Sequence, residues 1–239
     1  MQFLDLTLDE PAANIALDEA LLEAAEASPG PREVLRLWEP AAPLVVVGRS
    51  SHIGDEVRVE NCRARGIPVI RRTSGGLAIV AGPGCLMYAV VLSYELRPAL
   101  RSIDEAHGEV LSTTLRALRP LAPDLSRRGT SDVALGDRKV SGNSLRCKRR
   151  HLLYHGTLLY DFPLELIGEC LAEPPRAPDY RAGRPHDGFV GNLPASGLDL
   201  RAALSAAWQA DQPMTDWPRE LTETLAREKF RSDAWNHRH

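Results

Sequence analysis

Lysine is scarce in this chain of 239 residues: Lys139, Lys148 and Lys229 stand against 26 arginines. A merely solvated cation in such a composition would more often be arginine, so each lysine asks for a reason. Cysteine is sparse as well. Cys62, Cys85, Cys147 and Cys170 form no C-x-x-C pair, and no histidine spacing completes a zinc pattern, so no metal is expected from a protein motif. The four read as reduced thiols in a cytosol, each by default a small buried apolar residue. No apolar run approaches the ~20 residues needed to cross a bilayer. The opening Met1-Gln2-Phe3-Leu4-Asp5-Leu6 lacks the basic and apolar blocks of a leader and turns acidic early. A cytoplasmic protein with no membrane partner is expected. Net charge is only −3, which gives no pull toward nucleic acid. Internal repeats, G-x-G-x-x-G and the P-loop pattern are all missing.

What is present is 44% hydrophobic and 26% charged, ordinary for a globular chain long enough to bury a sizeable core. Residues 2–6 read as a strand. Residues 11–27 read as an amphipathic helix with Ile15, Leu17, Leu21, Leu22 and Ala25 inward and Asp18, Glu19, Glu23 and Glu26 outward. "EVLRLWE", "PLVVVGR", "GIPVIRR", "LAIVA" and "CLMYAVVLS" read as strands, with one helix expected over 55–65. Residues 102–121 read as a helix opened by Ser102 with Glu105 at capping-box spacing. A loop follows, then strands near 131–135, 138–141, 143–148 and 152–160. Helices are expected near 163–171, 199–210 and 216–229, and the proline-rich stretch 174–185 reads as a surface loop. Strands with interspersed helices, lacking strict βαβ alternation, predict one α/β domain of the α+β type over residues 1–239. Its sheet should be mixed, largely antiparallel and flanked by helices.

Three short stretches could carry chemistry. In "RRTSGGLAIVAGPG" (71–84) two arginines end a strand and paired glycines open the next. Bare backbone there lets a ligand approach, turn amides can face an anion, and Arg72 offers a planar fork for phosphate or carboxylate. A plain hairpin is the alternative. In "GDRKVSG" (136–142) the compact ammonium of Lys139 suits a developing oxyanion or a phosphate, unless it is a solvated strand-edge lysine. In His155-Gly156-Thr157 the histidine is either a general base or ligand contact, or a core histidine satisfied by a carbonyl. Cys147 lies eight residues after Lys139, which puts both on one face of an unbroken strand; a bulge at Gly142 would break that parity. Its neighbours Arg146, Lys148, Arg149 and Arg150 would favour a thiolate, though an unremarkable, unreactive thiol is the favoured reading.

In this order the segments resemble the lipoate–protein ligase family of the biotin/lipoate ligase superfamily. "NIALDEALLEA" resembles the family's opening helix, and "RRTSGGLAIV" its Arg-Arg-x-Ser-Gly-Gly-Gly signature. "SDVALGDRKVSGNSLRCKRRHLLYHGTLLYDF" resembles its lysine and His-Gly-Thr block. "PDYRAGRPHDGFVGNL" and "REKFRSDAWNHR" resemble its closing segments. The resemblance implies the biotin/lipoate ligase catalytic-domain fold. It also implies activation of lipoate or octanoate by ATP with Mg2+ to an acyl-adenylate. The acyl group would then pass to a lysine on a lipoyl domain of a 2-oxoacid dehydrogenase or on the glycine-cleavage H protein.

By the same resemblance Lys139 is the catalytic lysine, holding the adenylate phosphate and the acyl carbonyl. Arg72 meets the nucleotide phosphate. Ser74, Gly75 and Gly76 border the acyl chain, and Leu77, Ala78, Ile79 and Val80 form part of the nucleotide wall. Ser141, Gly142, His155, Gly156 and Thr157 line the pocket. Two departures stand out: Leu77 occupies the place of a third glycine, and "AGPGC" (81–85) replaces a polar His-Asp-x-Gly-Asn stretch. The expected chain has no C-terminal accessory domain, so a separate accessory protein is a candidate partner; the protein is otherwise expected to be a monomer. Octanoyl or lipoyl transfer without ATP, through a Cys147 thioester, is the alternative activity. A non-catalytic protein that binds lipoate or lipoyl domains is the third.

Overall fold

The computed structural model describes residues 1–239. Its strands are β1 (Gln2–Asp5), β2 (Val34–Trp38), β3 (Leu44–Val47), β4 (Val69–Arg71), β5 (Ile79–Ala81), β6 (Cys85–Ser93), β7 (Leu125–Arg128), β8 (Asp132–Leu135), β9 (Arg138–Cys147), β10 (His151–Leu159) and β11 (Gln212–Pro213). The helices are α1 (Pro11–Ala27), α2 (Ile53–Glu56), α3 (Val59–Ala64), α4 (Ile103–Leu118), α5 (Glu165–Cys170), α6 (His186–Phe189), α7 (Gly197–Ala207), α8 (Arg219–Leu225) and α9 (Asp233–Asn236). Eight strands form one sheet in the order β11-β1-β2-β6-β10-β9-β8-β7, and β4-β3-β5 form a second. From β2 to β7 the large sheet is antiparallel; β1 runs parallel to both its neighbours. This is the mixed, largely antiparallel arrangement that the order of elements predicts.

Strand alternation sorts the large sheet into two faces. Leu35 and Leu37 of β2, Tyr88, Val90 and Leu92 of β6, and Leu152, Tyr154 and Leu158 of β10 pack in one core cluster with α4 and α7. Their sequence neighbours point the other way. Arg36, Ala89 and His155 lie side by side across β2, β6 and β10, as do Trp38, Met87 and Thr157. That second face receives α1, whose Leu17, Leu21 and Leu22 pack on Val34, Ala89, Val91 and Leu153. The small sheet contributes Val45, Val46, Val47, Ile70 and Val80 to a further cluster.

Several elements differ from the sequence reading, each for a tertiary reason. The acidic side of α1 is not all outward: Asp18 is buried facing the sheet, against Arg36 and His155, and Glu19 is buried where α8 and the following turn cover the helix. Asp18 pairs with the buried Arg36, and Glu19 with Lys229. The segment 138–148 is one strand rather than two with a break. In place of one helix over 55–65 there are two short ones, α2 (Ile53–Glu56) and α3 (Val59–Ala64). The loop after α4 contains β7, an edge strand too polar to read as buried. α8 ends at Leu225 and continues as a wide π-helical turn over Ala226–Phe230. The Ser102 cap stands as expected, its Oγ accepting the Glu105 amide.

Candidate active site

The paired glycines sit where the small sheet meets the large one. Gly76 adopts φ +87°, open to glycine without strain. Its carbonyl also lies so close to Gly48, at the end of β3, that a Cβ there would stand 1.8 Å from the Gly76 oxygen. Two backbones touch, and only glycine at 48 permits it. Ser51 Oγ donates to the same carbonyl at 3.1 Å, and Ser144 Oγ of β9 donates to the Gly75 carbonyl at 2.9 Å.

Both arginines before the glycines are buried and serve the loop. Arg71 donates to the carbonyls of Gly48, Arg49 and Ser51 and, from Nε, to those of Trp235 and Asn236. Arg72 donates from Nε to Ser74 Oγ, from Nη1 to the Val46 carbonyl, and from Nη2 to the carbonyls of Gly75 and Leu77. Four of its five N–H groups are therefore committed. Burial pushes its guanidinium down to about 10, partly offset by the buried Glu56 nearby. The resemblance gave Arg72 a nucleotide phosphate; it borders the larger cavity, but four of its donors are taken by the Ser74 hydroxyl and three backbone carbonyls.

Lys139 reaches the site face through an irregularity in β9. Asp132 pairs with Gly142 and Val133 with Ser141, but Ala134 pairs with Lys139. One step on β8 thus spans two residues of β9, the two-against-one count of a β-bulge. Val140 packs in the α4-side core while Lys139 faces the opposite side. Leu145 packs on the α4 side too and Ser144 opposite His155, so by alternation Cys147 falls on the α4 side. Lys139 and Cys147 occupy opposite faces because parity is broken, near Val140 rather than at Gly142.

The Lys139 ammonium lies 2.7 Å from Asp132 Oδ1, with the lysine side chain 29% exposed. The Tyr180 hydroxyl donates to the other oxygen of Asp132 at 2.8 Å. Burial first, and Asp132 second, hold the Tyr180 phenol well above its ordinary range. The end of the Lys139 side chain passes directly over the bare Cα of Gly142. On the far side the Gly191 amide donates to the Lys139 carbonyl at 3.0 Å. The other two lysines are paired as well, Lys148 with Glu23 and Lys229 with Glu19, both at 2.6 Å.

His155 has no free nitrogen. Nε2 lies 2.5 Å from Ser74 Oγ, and Nδ1 lies 3.4 Å from Asp18 Oδ2. Asp18 Oδ2 can only accept, so the ring N–H sits at Nδ1 facing Asp18, and the Ser74 hydroxyl occupies Nε2. The histidine joins the Gly-Gly loop to α1 and has no lone pair left for a substrate proton.

Two cavities open on this face. The larger, of about 430 Å³, is bounded by Arg72, Gly76, Leu77, Ala78, Ile79, Lys139, Gly142, His155, Gly156 and Thr157, with Ile15, Val46 and Met87 as apolar floor. The smaller, of about 130 Å³, is lined mainly by apolar side chains from Val80, Leu159, Ile167, Leu171 and Phe189, and it also touches Ser141. Lys139, Gly142, Thr157 and Arg176 border both. Two cations, Lys139 and Arg176, thus stand at the boundary between the two chambers. Ser74 and Gly75 are behind this lining, not on it.

Residues 10–197 match the family model of the lipoyl protein ligase A/B catalytic domain. The chain belongs to this family. A protein of Aeropyrum pernix provisionally named a lipoate-protein ligase A is 38% identical over 157 residues, covering 65% of this chain and 56% of that one. The octanoyltransferase LipM of Geobacillus kaustophilus is 24% identical over 273 residues, covering 98% and 97%. The chain spans about half the length of the first of these and nearly all of the second. Among solved structures, the bipartite lipoate protein ligase of Thermoplasma acidophilum superposes with a TM-score of 0.83 at 22% identity, over 99% of this chain and 95% of that one. A lipoate-protein ligase A bound with ATP gives 0.79 at 22% identity, over 99% and 98%.

Membership in the lipoyl ligase family frames the remaining residues. None of the four cysteines lines either cavity: Cys62, Cys85 and Cys170 are buried, and Cys147 is exposed at the end of β9. Burial pushes the Cys85 thiol far up. The "GPG" turn before it packs on the backbone, since a Cβ at Gly84 would lie 2.2 Å from the Asp161 carbonyl carbon. Sequence reading passed over Asp18, Gly48, Asp132, Ser144 and Arg176. Asp132 was within reach, since its register partner in the hairpin is Gly142, the last residue of "KVSG"; the rest depend on contacts far apart in the chain. No helix is long and apolar enough to cross a membrane.

Proposed function

We propose that the protein is a lipoate–protein ligase. It condenses lipoate or octanoate with ATP and passes the acyl group to a lysine of a lipoyl domain, from a 2-oxoacid dehydrogenase or the glycine-cleavage H protein. One observation carries this reading: two adjoining chambers meet at Lys139, and no thiol stands on either wall. The larger chamber suits the acyl chain, with Ile15, Val46 and Met87 against the methylenes. The smaller, lined mainly by apolar side chains, suits a nucleobase.

In the first step a carboxylate oxygen attacks the α-phosphorus and pyrophosphate leaves. In the second the acceptor ε-amine attacks the carbonyl carbon, the C–O bond to phosphate breaks and AMP leaves. Neither step needs a covalent bond to the protein. Both need alignment and a fixed positive charge at the developing oxyanion, which Lys139 supplies. Asp132 holds that charge in place. No cluster of three or more acidic, histidine or cysteine side chains is arranged around a metal. Mg2+ would be held chiefly by the phosphates of ATP, as it commonly is.

Similarity along nearly the full length of an octanoyltransferase supports a second reading, acyl transfer from a carrier thioester without ATP. The test incubates the protein with an apo lipoyl domain and follows intact mass. One arm supplies ATP, Mg2+ and lipoate or octanoate, with and without an added accessory protein; the other supplies octanoyl-acyl-carrier protein and no ATP. A mass gain in the first arm alone fits the ligase. A gain in the second arm alone replaces it with the transferase. Binding of lipoate without a gain in either arm leaves a non-catalytic binder.

A further inference from the structure

We infer that Arg176 is the second cation on the phosphate of the acyl-adenylate, taking the place that sequence resemblance gives to Arg72. The inference rests on the ligase reading and adds a phosphate-binding residue to it.

Few positive groups stand on the two cavity walls. The larger cavity has Arg72, Lys139, His155 and Arg176; the smaller has Lys139, Arg176, Arg181 and His186. Arg72 is committed to the Gly-Gly loop. His155 is committed to Ser74 and Asp18. Arg181 is buried, donating to Glu173 and to the Arg184 carbonyl, and His186 Nε2 is bonded to the Ala172 carbonyl. Lys139 shares its charge with Asp132. Arg176 has neither hydrogen bond nor ion pair, is exposed, and borders both chambers.

An anhydride with its acyl chain in one chamber and its base in the other must place its phosphate at the shared boundary. Two cations face that boundary, and only Arg176 has its whole fork free. Guanidinium suits the task, because it meets two phosphate oxygens at once.

The segment that carries Arg176 is built to hold it. Pro174, Pro175 and Pro178 fix the backbone φ around it. Pro178 packs on Gly129, within 3.5 Å of where a Cβ would stand. Two residues on, Tyr180 is tied to Asp132 and its ring packs on Phe189. The guanidinium is presented from an anchored run, so ordering it on a ligand costs less than from a free loop.

The test measures binding of octyl adenosine 5′-monophosphate, a stable diester that keeps the phosphate charge and lacks the reactive carbonyl. Octanoate alone is the control ligand. Arg176→Ala should raise the Kd for the diester about tenfold, the usual range for an exposed charge-assisted contact. It should leave octanoate binding within twofold and flatten the salt dependence of diester binding. Arg176→Lys, which keeps the charge and loses the fork, should fall between. Equal diester affinity in wild type and Arg176→Ala overturns the assignment. So does a parallel loss of octanoate binding, which would mark a general role in the shape of the site. Wild type that binds octanoate but not the diester overturns the ligase reading itself, and this role with it.

Discussion

Gly142→Ala should make the protein slightly more stable and much less active. An ideal Cβ at position 142 lies 2.9 Å from Lys139 Cε and 3.0 Å from Nζ, with Asp132 Oδ1 at 3.9 Å. Carbon–carbon contacts settle at about 3.5–4.0 Å, so the end of the lysine must withdraw by about 0.6 Å or more. It is the flexible end of a long side chain, so the backbone need not move. The withdrawal disturbs the 2.7 Å pair with Asp132 and re-aims the ammonium. A misplacement of about 1 Å at a reacting centre costs on the order of a hundredfold, so a ten- to hundredfold loss of acyl transfer is expected. Gly142 is not among the glycines at positive φ, and alanine fits its backbone. Reduced freedom of the unfolded chain then contributes about 0.4–1 kcal/mol of stability. Urea unfolding gives the second quantity, and initial rates of lipoyl-domain mass gain give the first. In a Lys139→Ala background the glycine change should have no further effect on rate. A variant of wild-type rate, or one whose rate falls only in step with lost stability, refutes the reasoning.

Four further outcomes are expected. Lys139→Ala should lower acyl transfer by about a hundredfold or more while moving the unfolding free energy by no more than about 1 kcal/mol, since its ion pair is partly solvated; calorimetry alongside the rate assay checks both. Cys147→Ser should transfer at the wild-type rate, and a hydroxylamine-labile acyl mass on Cys147 during turnover would contradict the thiol-free reading. Gly48→Ala should destabilise the fold by about 1–3 kcal/mol and depress activity, because neither the Gly76 carbonyl nor the residue can yield; a wild-type urea midpoint would count against the backbone contact. His107, buried beside Tyr154, is held below its ordinary range, first by burial and then by Arg127. The unfolded chain therefore takes up the proton first, and stability present above about pH 6.5 is lost as pH falls toward the folded value. His107→Gln should flatten that slope in urea titrations between pH 7 and 5.

Much of the sheet was legible because its strands are short apolar runs bounded by glycine and proline. β6, with every residue buried, reads as a strand from composition alone. Lys139 drew notice through scarcity. What the residues do to one another was less legible. The acidic stripe of α1 looked solvated because a helix seen alone has one apolar side; Asp18 instead meets the buried Arg36 of the sheet, and α8 with its following turn adds a second burial surface over Glu19, neither of which a local pattern announces. The signature arginines were visible at once, but the direction of their donors depends on Val46 and Gly48 at the end of β3 and on Asn236 of α9, far away in the chain. The side on which Lys139 emerges turns on one extra residue in β9, and its partner strand β8 carries the register that reveals it. Gly48 went unremarked because its reason is Gly76, twenty-eight positions on.

The pairing of every lysine has a chemical corollary. If the proposed ligase chemistry holds, an amine-seeking mixed anhydride that leaks from the pocket labels whatever primary amines are nearest, and the catalyst itself is nearest of all. Here each side-chain amine donates into a carboxylate of Asp132, Glu23 or Glu19. The surface positive charge is otherwise guanidinium, which such anhydrides leave alone. The molecule thus offers few targets for self-labelling, so leaked reagent survives to hydrolyse or to find an acceptor.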